Sequence, residues 1–132
     1  MSAHLSTASG IVPLTPAFAD ARGTIQNLVE HEVGGVGIIH TKAGSRRSSH
    51  WHRTDSHYLY VVSGKARYRE RKVGTETVVE FTVGPGQMVY TGPNTEHWMS
   101  FPEDTVMISI SHLSRRHDVH EADLVRVDWL EG

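Results

Sequence analysis

Four histidines stand at spacings that would aim their side chains into one β-barrel: His50, His52, His57 and His97. Side chains alternate between the two faces of an extended strand, so His50 and His52 share one face and Trp51 lies on the other. Neutral imidazole is the commonest protein ligand of transition metals. The spacing therefore predicts a metal site with all four histidines as ligands. One divalent first-row ion is expected, with Fe as the first choice and Zn, Ni, Cu, Mn or Co as alternatives.

The composition indicates one domain without a strong charge. The chain has 132 residues, no cysteine and a formal net charge of −2. The length is that of a single domain. The absence of cysteine excludes thiolate chemistry and disulfides. The small net charge gives no electrostatic reason to expect binding to nucleic acid or to an anionic membrane. No apolar run is long enough to span a bilayer, and residues 1–10 lack the pattern of a secretion signal, so we expect a cytoplasmic protein.

Short alternating apolar segments separated by glycine and proline dominate the chain, which predicts an all-β sandwich or barrel. The strands at 57–63 and 66–72, joined by a turn around Gly64, are expected to pair. The full set of expected strands is 24–29, 35–41, 49–52, 57–63, 66–72, 76–82, 87–91, 97–101, 105–111 and 124–128.

The first histidine group resembles the first motif of the cupin superfamily, whose fold is a double-stranded β-helix or jelly-roll barrel. Gly44, His50, His52 and Gly64 match that motif, and His57 stands where the family usually has glutamate. The resemblance implies a small, single-domain, four-histidine metal-binding cupin.

The second histidine group resembles the second cupin motif. Gly86 and His97 match it, while Gly92, Asn94 and Phe101 stand where the family has proline, glycine and asparagine. Asparagine tolerates a positive φ nearly as well as glycine does, so we expect Asn94 to preserve the turn.

The resemblance covers about residues 36–112, which we assign to the barrel of a single domain. We expect residues 1–20 to form an N-terminal arm. Residues 113–132 are expected to form a C-terminal segment, and residues 112–121 a polar loop or a short helix.

His57 is open to three interpretations: a metal ligand, a general base beside a three-histidine metal, or a structural residue. Strand alternation places it on the face of Leu59 and Val61, which are candidate core residues. As a ligand in place of glutamate, a neutral imidazole would leave a divalent ion more positive. Such a centre would attract an anionic substrate, such as an enolate or a carboxylate, more strongly.

Other polar groups near the two motifs are candidates for substrate and proton chemistry. Tyr90 and Glu96 are the expected catalytic residues, and Glu96 directly precedes His97, close to the expected barrel mouth. Guanidinium groups beside the first motif could clamp a carboxylate or a phosphate. The expected substrate-binding residues are Arg46, Arg53, Tyr60 and Met99.

These residues support three classes of function, because one barrel hosts many activities. The leading hypothesis is a non-haem metal-dependent enzyme, either a dioxygenase-like oxidoreductase or a Lewis-acid lyase or isomerase, acting on a small oxygenated anion. A non-catalytic ligand-binding or sensing module is another. We expect a small-molecule substrate and a homodimer in which the N-terminal arm covers a sheet edge.

The alternative enzyme comes from a second resemblance. Residues 20–24, Asp-Ala-Arg-Gly-Thr, resemble a segment of the dTDP-keto-sugar epimerases and ketoisomerases. Those enzymes use the same type of barrel, work without a metal and use histidine to move a proton next to a keto group. In this interpretation His50 or His52 is catalytic.

Overall fold

The computed structural model describes residues 9–130, which form a jelly roll of two antiparallel sheets and one short helix. The prediction of an all-β jelly-roll barrel is confirmed. No helix among the described residues is long and apolar enough to cross a membrane. The elements are β1 (Gly10–Ile11), β2 (Phe18–Asp20), β3 (Gly23–Ile25), β4 (Gly35–Thr41), β5 (Arg46–His52), β6 (His57–Ser63), β7 (Ala66–Lys72), β8 (Val79–Val83), β9 (Met88–Thr91), β10 (Thr95–Ser100), β11 (Thr105–Ser111), α1 (His117–Asp123) and β12 (Leu124–Arg126).

The two sheets divide the strands between them in the order β1-β9-β6-β11-β4 and the order β12-β5-β10-β7-β8. β2 and β3 form a separate hairpin, whose turn pairs Arg22 with Asp20 at 2.6 Å. β1 pairs with β9 of the same chain. The expected N-terminal arm lies partly outside the described residues, because residues 1–8 are not among them.

The expected pairing of β6 with β7 is wrong. β6 pairs with β9 and β11, whereas β7 pairs with β8 and β10 in the other sheet. The turn at Gly64 therefore carries the chain from one sheet to the other instead of closing a hairpin. Tyr68 consequently points into the barrel, while Tyr58 packs in a smaller cluster with Met88 and Ile110.

The main core fills the barrel with alternate side chains of both sheets. Leu59 and Val61 of β6 meet Tyr68 of β7 there, and all three are less than 4% exposed. The prediction that His57 shares the face of Leu59 and Val61 is confirmed, because His57 and Leu59 line the same cavity and Leu59 packs with Val61 in the core. The prediction for Asn94 is also confirmed, because its φ is 56°. The apolar core and the histidines thus occupy one interior.

Apolar side chains are also exposed at one edge. β4 ends its sheet, and its Val36 and Ile38 are exposed, as are Phe18 and Ile25 of the β2–β3 hairpin. Unpaired edge strands are surfaces on which another chain can add. The expected homodimer remains a prediction.

Replacing Gly64 with alanine tests the crossover between the sheets. Gly64 has φ +85°, and a Cβ there would overlap the Asp104 carbonyl oxygen and the Thr105 hydroxyl and lie 2.7 Å from Thr105 Cα. We expect Gly64→Ala to lower the free energy of unfolding by roughly 2–5 kcal/mol, the sum of left-handed strain and overpacking. Urea unfolding measures this change.

Gly74→Ala is the matched control, because Gly74 has φ +84° and a Cβ at this position would meet nothing within 4 Å. Gly74→Ala should lower the free energy of unfolding only by the cost of the backbone strain, roughly 1–2 kcal/mol. Equal losses in the two variants would contradict the close contact at Gly64.

Candidate functional site

The four histidines meet at one end of the barrel. Ring centroids lie 4.8 Å apart for His50 and His52, 4.7 Å for His50 and His97, and 5.1 Å for His57 and His97. β5 and β10 bring three of these rings together from one sheet, and β6 brings His57 from the other. His52 and His97 have no exposed surface, whereas His50 is partly exposed. The cluster therefore has a buried inner part and one ring open to the outside.

A β-bulge in β5 helps to aim its histidines. Ser48 and Ser49 have φ values of 76° and 69°, and the register with β10 shifts between His97 and Trp98. Bulges bend a strand and redirect the side chains that follow. His50 lies directly opposite His97 as a result.

A hydrogen-bond relay fixes the protons of His57 and His97. His97 Nδ1 lies 3.0 Å from the Thr95 carbonyl oxygen, which can only accept, so Nδ1 carries the proton. His97 Nε2 then carries a lone pair and accepts a hydrogen bond from His57 Nε2–H at 3.3 Å. His57 Nδ1 then carries a lone pair, and this nitrogen is buried without a hydrogen-bond partner among the described residues. One backbone carbonyl thus sets both tautomers.

His52 lies against a carboxylate from the C-terminal segment. Its Nδ1 is 3.6 Å from Asp123 Oδ2. Asp123 also accepts hydrogen bonds from the backbone of Thr54 and Asp55, each at 2.9 Å, and from the Thr54 hydroxyl at 2.7 Å. Burial alone would raise the pKa of Asp123, but these hydrogen bonds hold it below its usual value. An ionised carboxylate therefore stands behind the inner histidines.

All four imidazoles are neutral near pH 7. Burial lowers the pKa of His52 to about 3 and that of His97 to about 4. Burial and the neighbouring rings lower the pKa of His50 to about 2, and the pKa of His57 also lies well below its ordinary value. The Arg115 guanidinium adds to this effect at each ring. Neutral imidazoles present lone pairs that can accept protons or hydrogen bonds.

Two adjoining cavities open beside the cluster. The first, which we call the histidine cavity, encloses about 190 Å³ and is lined in part by Arg47, His50, His57, Leu59, Met99 and Arg115. The second, which we call the glycine cavity, encloses about 430 Å³ and is lined in part by Gly34, Gly35, Gly37, Ser114, Arg115 and His120. Both cavities include Ile39, Ser109 and Arg115 in their walls. Arg115 therefore faces the whole cleft.

The sequence analysis missed the contribution of the C-terminal segment. Arg115, His120 and Asp123 all approach the cluster, with the His120 ring 5.5 Å from that of His52. α1 supplies two of them, in the place where a loop or a short helix was expected. The available signal was the concentration of ionisable residues at 112–121, directly after the last long strand. The cupin motifs end before this segment and therefore give it no role.

The expected substrate-binding residues lie in different places. Met99 lines the histidine cavity. The Arg46 guanidinium lies over the Trp129 ring at 4.5 Å, and that of Arg53 lies 5.9 Å from the Trp51 ring. Tyr60 packs against the smaller apolar cluster outside the barrel. Only Met99 of this group therefore lines the described histidine cavity.

The two expected catalytic residues also lie away from the histidine cavity. Glu96 is buried, and its Oε1 accepts from Arg71 Nη2 at 2.7 Å. The Tyr90 ring packs beside that of Tyr58, with centroids 4.9 Å apart. On strands β9 and β10 these side chains alternate with Thr91 and His97, so they point to the opposite face.

The chain matches a known family and several solved structures. The family model described as polysaccharide biosynthesis C-terminal domain matches residues 18–124. The capsular polysaccharide assembling protein CapF from Staphylococcus aureus is 24% identical, with a TM-score of 0.65. The match covers 89% of this chain and 35% of CapF, so the chain spans about a third of that protein. No curated protein matches the chain by sequence.

Two sugar-nucleotide enzymes are matched over most of their own length. A mutant of the 3,4-ketoisomerase QdtA from Thermoanaerobacterium thermosaccharolyticum, in complex with TDP-4-keto-6-deoxyglucose, is 17% identical, with a TM-score of 0.69 and coverage of 89% of this chain and 86% of QdtA. The dTDP-6-deoxy-D-glucose-3,5-epimerase RmlC from Legionella pneumophila Philadelphia 1 is 11% identical, with a TM-score of 0.72 and coverage of 91% of this chain and 72% of RmlC. At these identities the likeness shows the fold, a cupin-like RmlC barrel.

The prediction of a divalent first-row metal, with Fe as the first choice, is wrong. The structural neighbours are sugar epimerases and ketoisomerases, the class whose resemblance implied chemistry without a metal. The hypothesis of a dioxygenase-like oxidoreductase depended on that metal and loses its support. Although nitrogens of His50, His52 and His97 lie within 4.8 Å of one another, His97 Nε2 already accepts a hydrogen bond from His57 Nε2–H. His57, the fourth expected ligand, thus forms a hydrogen bond with His97.

Acid should destabilise this protein through its buried histidines. An unfolded histidine has a pKa of about 6.5, whereas in the fold that of His97 is about 4. Between these values the unfolded state binds more protons, so stability is fully present above about pH 6.5 and is lost as the pH falls towards 4. Urea unfolding across this range should show a declining free energy of unfolding.

His97→Gln should flatten this decline, because one buried proton-binding ring is removed. His40→Gln is the control, since His40 is exposed, and it should keep the slope of the unmodified protein. A His97→Gln variant with an unchanged slope would show that the His97 ring does not contribute to the acid response.

Proposed function

This chain belongs to the polysaccharide biosynthesis C-terminal domain family, and from that premise we propose that it is an epimerase or ketoisomerase of a nucleotide-linked keto sugar. The proposed reaction moves a proton at the carbon next to a keto group and needs no oxidant. The observation that carries the proposal is a neutral histidine, His50, in the wall of a cavity that also contains a guanidinium.

His50 is the proposed general base. It is the partly exposed ring of the cluster and lines the histidine cavity, whereas His52 and His97 are fully buried behind it. A base must be unprotonated before it can remove a proton, and the lowered pKa of His50 keeps its ring neutral. A substrate carbon placed in the cavity would be within reach of this ring.

The rings behind His50 hold it in place and share the charge that it acquires. His50 packs edge-on against His97, at an interplanar angle of 87°, and against His52, at 73°. Asp123 supplies a negative charge next to His52. When His50 takes a proton, this carboxylate and the polarisable rings offset part of the cost of a buried imidazolium.

The proposed substrate class rests on the cleft and on the neighbours. A sugar ring matches the small histidine cavity, and the larger glycine cavity leaves room for the nucleotide. Three glycines in that wall allow close approach of a ligand to the backbone. QdtA and RmlC, which share the fold, form complexes with TDP-linked keto sugars.

Exchange of the sugar proton with solvent tests the proposal. TDP-4-keto-6-deoxyglucose is incubated with the protein in D₂O, and NMR follows the loss of the proton next to the keto carbon. We expect enzyme-dependent exchange, and we expect His50→Gln to slow it by about 10²–10⁴-fold because the base is lost. His40→Gln, at an exposed site, should exchange at the unmodified rate.

The same assay with a chelator separates this proposal from metal chemistry. Exchange should continue at the same rate after chelation, because the base and its charge partners are protein side chains. Loss of exchange on chelation, with recovery on adding a metal, would contradict the proposal. Binding of TDP without any exchange would also contradict it, and would indicate a binding or sensing module instead.

A further inference from the structure

We propose that Arg115 is a catalytic residue that binds the keto oxygen of the substrate and stabilises the enolate. This inference rests on the proposed function and adds a residue to it. It comes from the position, the unused hydrogen-bonding capacity and the fixed orientation of the guanidinium.

Arg115 stands where the developing negative charge would be. It lines the histidine cavity together with His50 and His57, and it lines the glycine cavity as well. Its positive charge acts on the cluster, since it contributes to the lowered pKa of each of the four histidines, after burial. An oxyanion that forms in the histidine cavity would meet this charge in partly buried surroundings, where a charge is screened less than in bulk water.

The guanidinium has hydrogen-bonding capacity left over. Nε and Nη2 are buried and make no hydrogen bond among residues 9–130, although Nε lies 3.2 Å from Asp55 Oδ2. Nη1 lies 3.4 Å from His120 Nδ1, at the long end of the hydrogen-bond range. Buried donors without acceptors are costly, so a substrate oxygen that accepts a hydrogen bond from Nε or Nη2 would be favoured.

Asp55 holds the side chain in place. Its Oδ1 accepts from the backbone of Ser56 at 2.9 Å and of Leu113 at 2.8 Å, which leaves Oδ2 to face Arg115. Asp55 is 2% exposed and belongs to the loop before β6, whereas Leu113 follows β11. The carboxylate therefore ties Arg115 to the loop before β6 and to the backbone that follows β11, so we expect little reorganisation during the reaction.

The other arginine of the histidine cavity, Arg47, is exposed, and two of its guanidinium nitrogens donate within the protein. Arg47 Nε donates to Thr41 Oγ1 at 2.7 Å, and its Nη2 donates to the His40 carbonyl oxygen at 3.1 Å. Arg115 is thus the cation of the described cavity wall that has buried guanidinium nitrogens, Nε and Nη2, without a hydrogen-bond partner.

The proposed step balances within the substrate and the protein. His50 takes the proton from the carbon next to the keto group, and the electrons of that C–H bond form a C=C bond. The carbonyl π pair moves to the oxygen, which accepts a hydrogen bond from Arg115. Delivery of a proton to the opposite face of that carbon, with His50 releasing the proton that it took, completes an epimerisation. In a ketoisomerisation the proton on His50 passes to the former carbonyl carbon. The hydroxyl proton of the deprotonated carbon passes to the enolate oxygen, so the former carbonyl becomes a hydroxyl and the former hydroxyl becomes the new carbonyl.

Arg115→Gln tests this role in the full chain. We expect kcat for proton exchange in TDP-4-keto-6-deoxyglucose to fall by about 10²–10³-fold, because an oxyanion donor is lost. KM and the calorimetric affinity for TDP should stay near their original values. Arg115→Lys keeps the charge and should recover part of the rate. Arg116→Gln is the matched control, since the Arg116 side chain is exposed and pairs with Asp118 at 2.9 Å.

Each other outcome overturns the inference in a distinguishable way. Weaker TDP binding with an unchanged kcat would assign Arg115 to the diphosphate. Equal kcat in Arg115→Gln and Arg116→Gln would remove it from the reaction. If Arg115→Lys lost as much kcat as Arg115→Gln, and both variants unfolded at a lower urea concentration, Arg115 would have a structural role. Absence of exchange in the unmodified protein would refute the proposed function and this inference together.

Discussion

The packing of four neutral imidazoles where the two sheets converge, three of them buried, is the constraint on which the rest of the site depends. A charged imidazole is costly in such surroundings, so each ring must keep one lone pair and one proton in a compatible place. The Thr95 carbonyl fixes the proton of His97, and His97 fixes that of His57 on the opposite sheet. The relay therefore joins the two halves of the barrel and orients the cluster at the same time.

The same constraint explains why the C-terminal segment closes the barrel end. Asp123 bridges to the loop before β6 and faces His52, and β12 pairs Leu124 with His52 across the sheet edge. These contacts shield the inner rings from solvent, which lowers their pKa values and strengthens the interaction of every charge left in the cleft. Closure of the barrel and preparation of the site are thus one structural feature.

Local patterning predicted much of this fold. β4, β6, β7 and β11 begin and end where alternation and turn residues placed them, because each is long and strongly patterned. The partner strands were not predictable at Gly64, since a turn between adjacent strands has the same composition whether the chain stays in one sheet or crosses to the other. The histidine cluster was predictable from spacing, because strand alternation has a fixed period. Arg115 and Asp123 were not, since no periodicity brings a polar segment after the last long strand back over the barrel.

Spacing alone also could not decide between metal ligation and proton transfer, because both need neutral imidazoles on one face. The residue at position 57 bears on the choice between metal ligation and proton transfer. A glutamate there, as in the usual cupin motif, would place a negative charge beside His97 Nε2 and favour a cationic partner. His57 instead donates a neutral hydrogen bond at 3.3 Å and leaves the cluster without charge. The carboxylates of Asp55 and Asp123 offset part of the positive charge of Arg115. Because Arg115 also lines the cleft, the cleft is electrostatically suited to an oxygen that becomes negative.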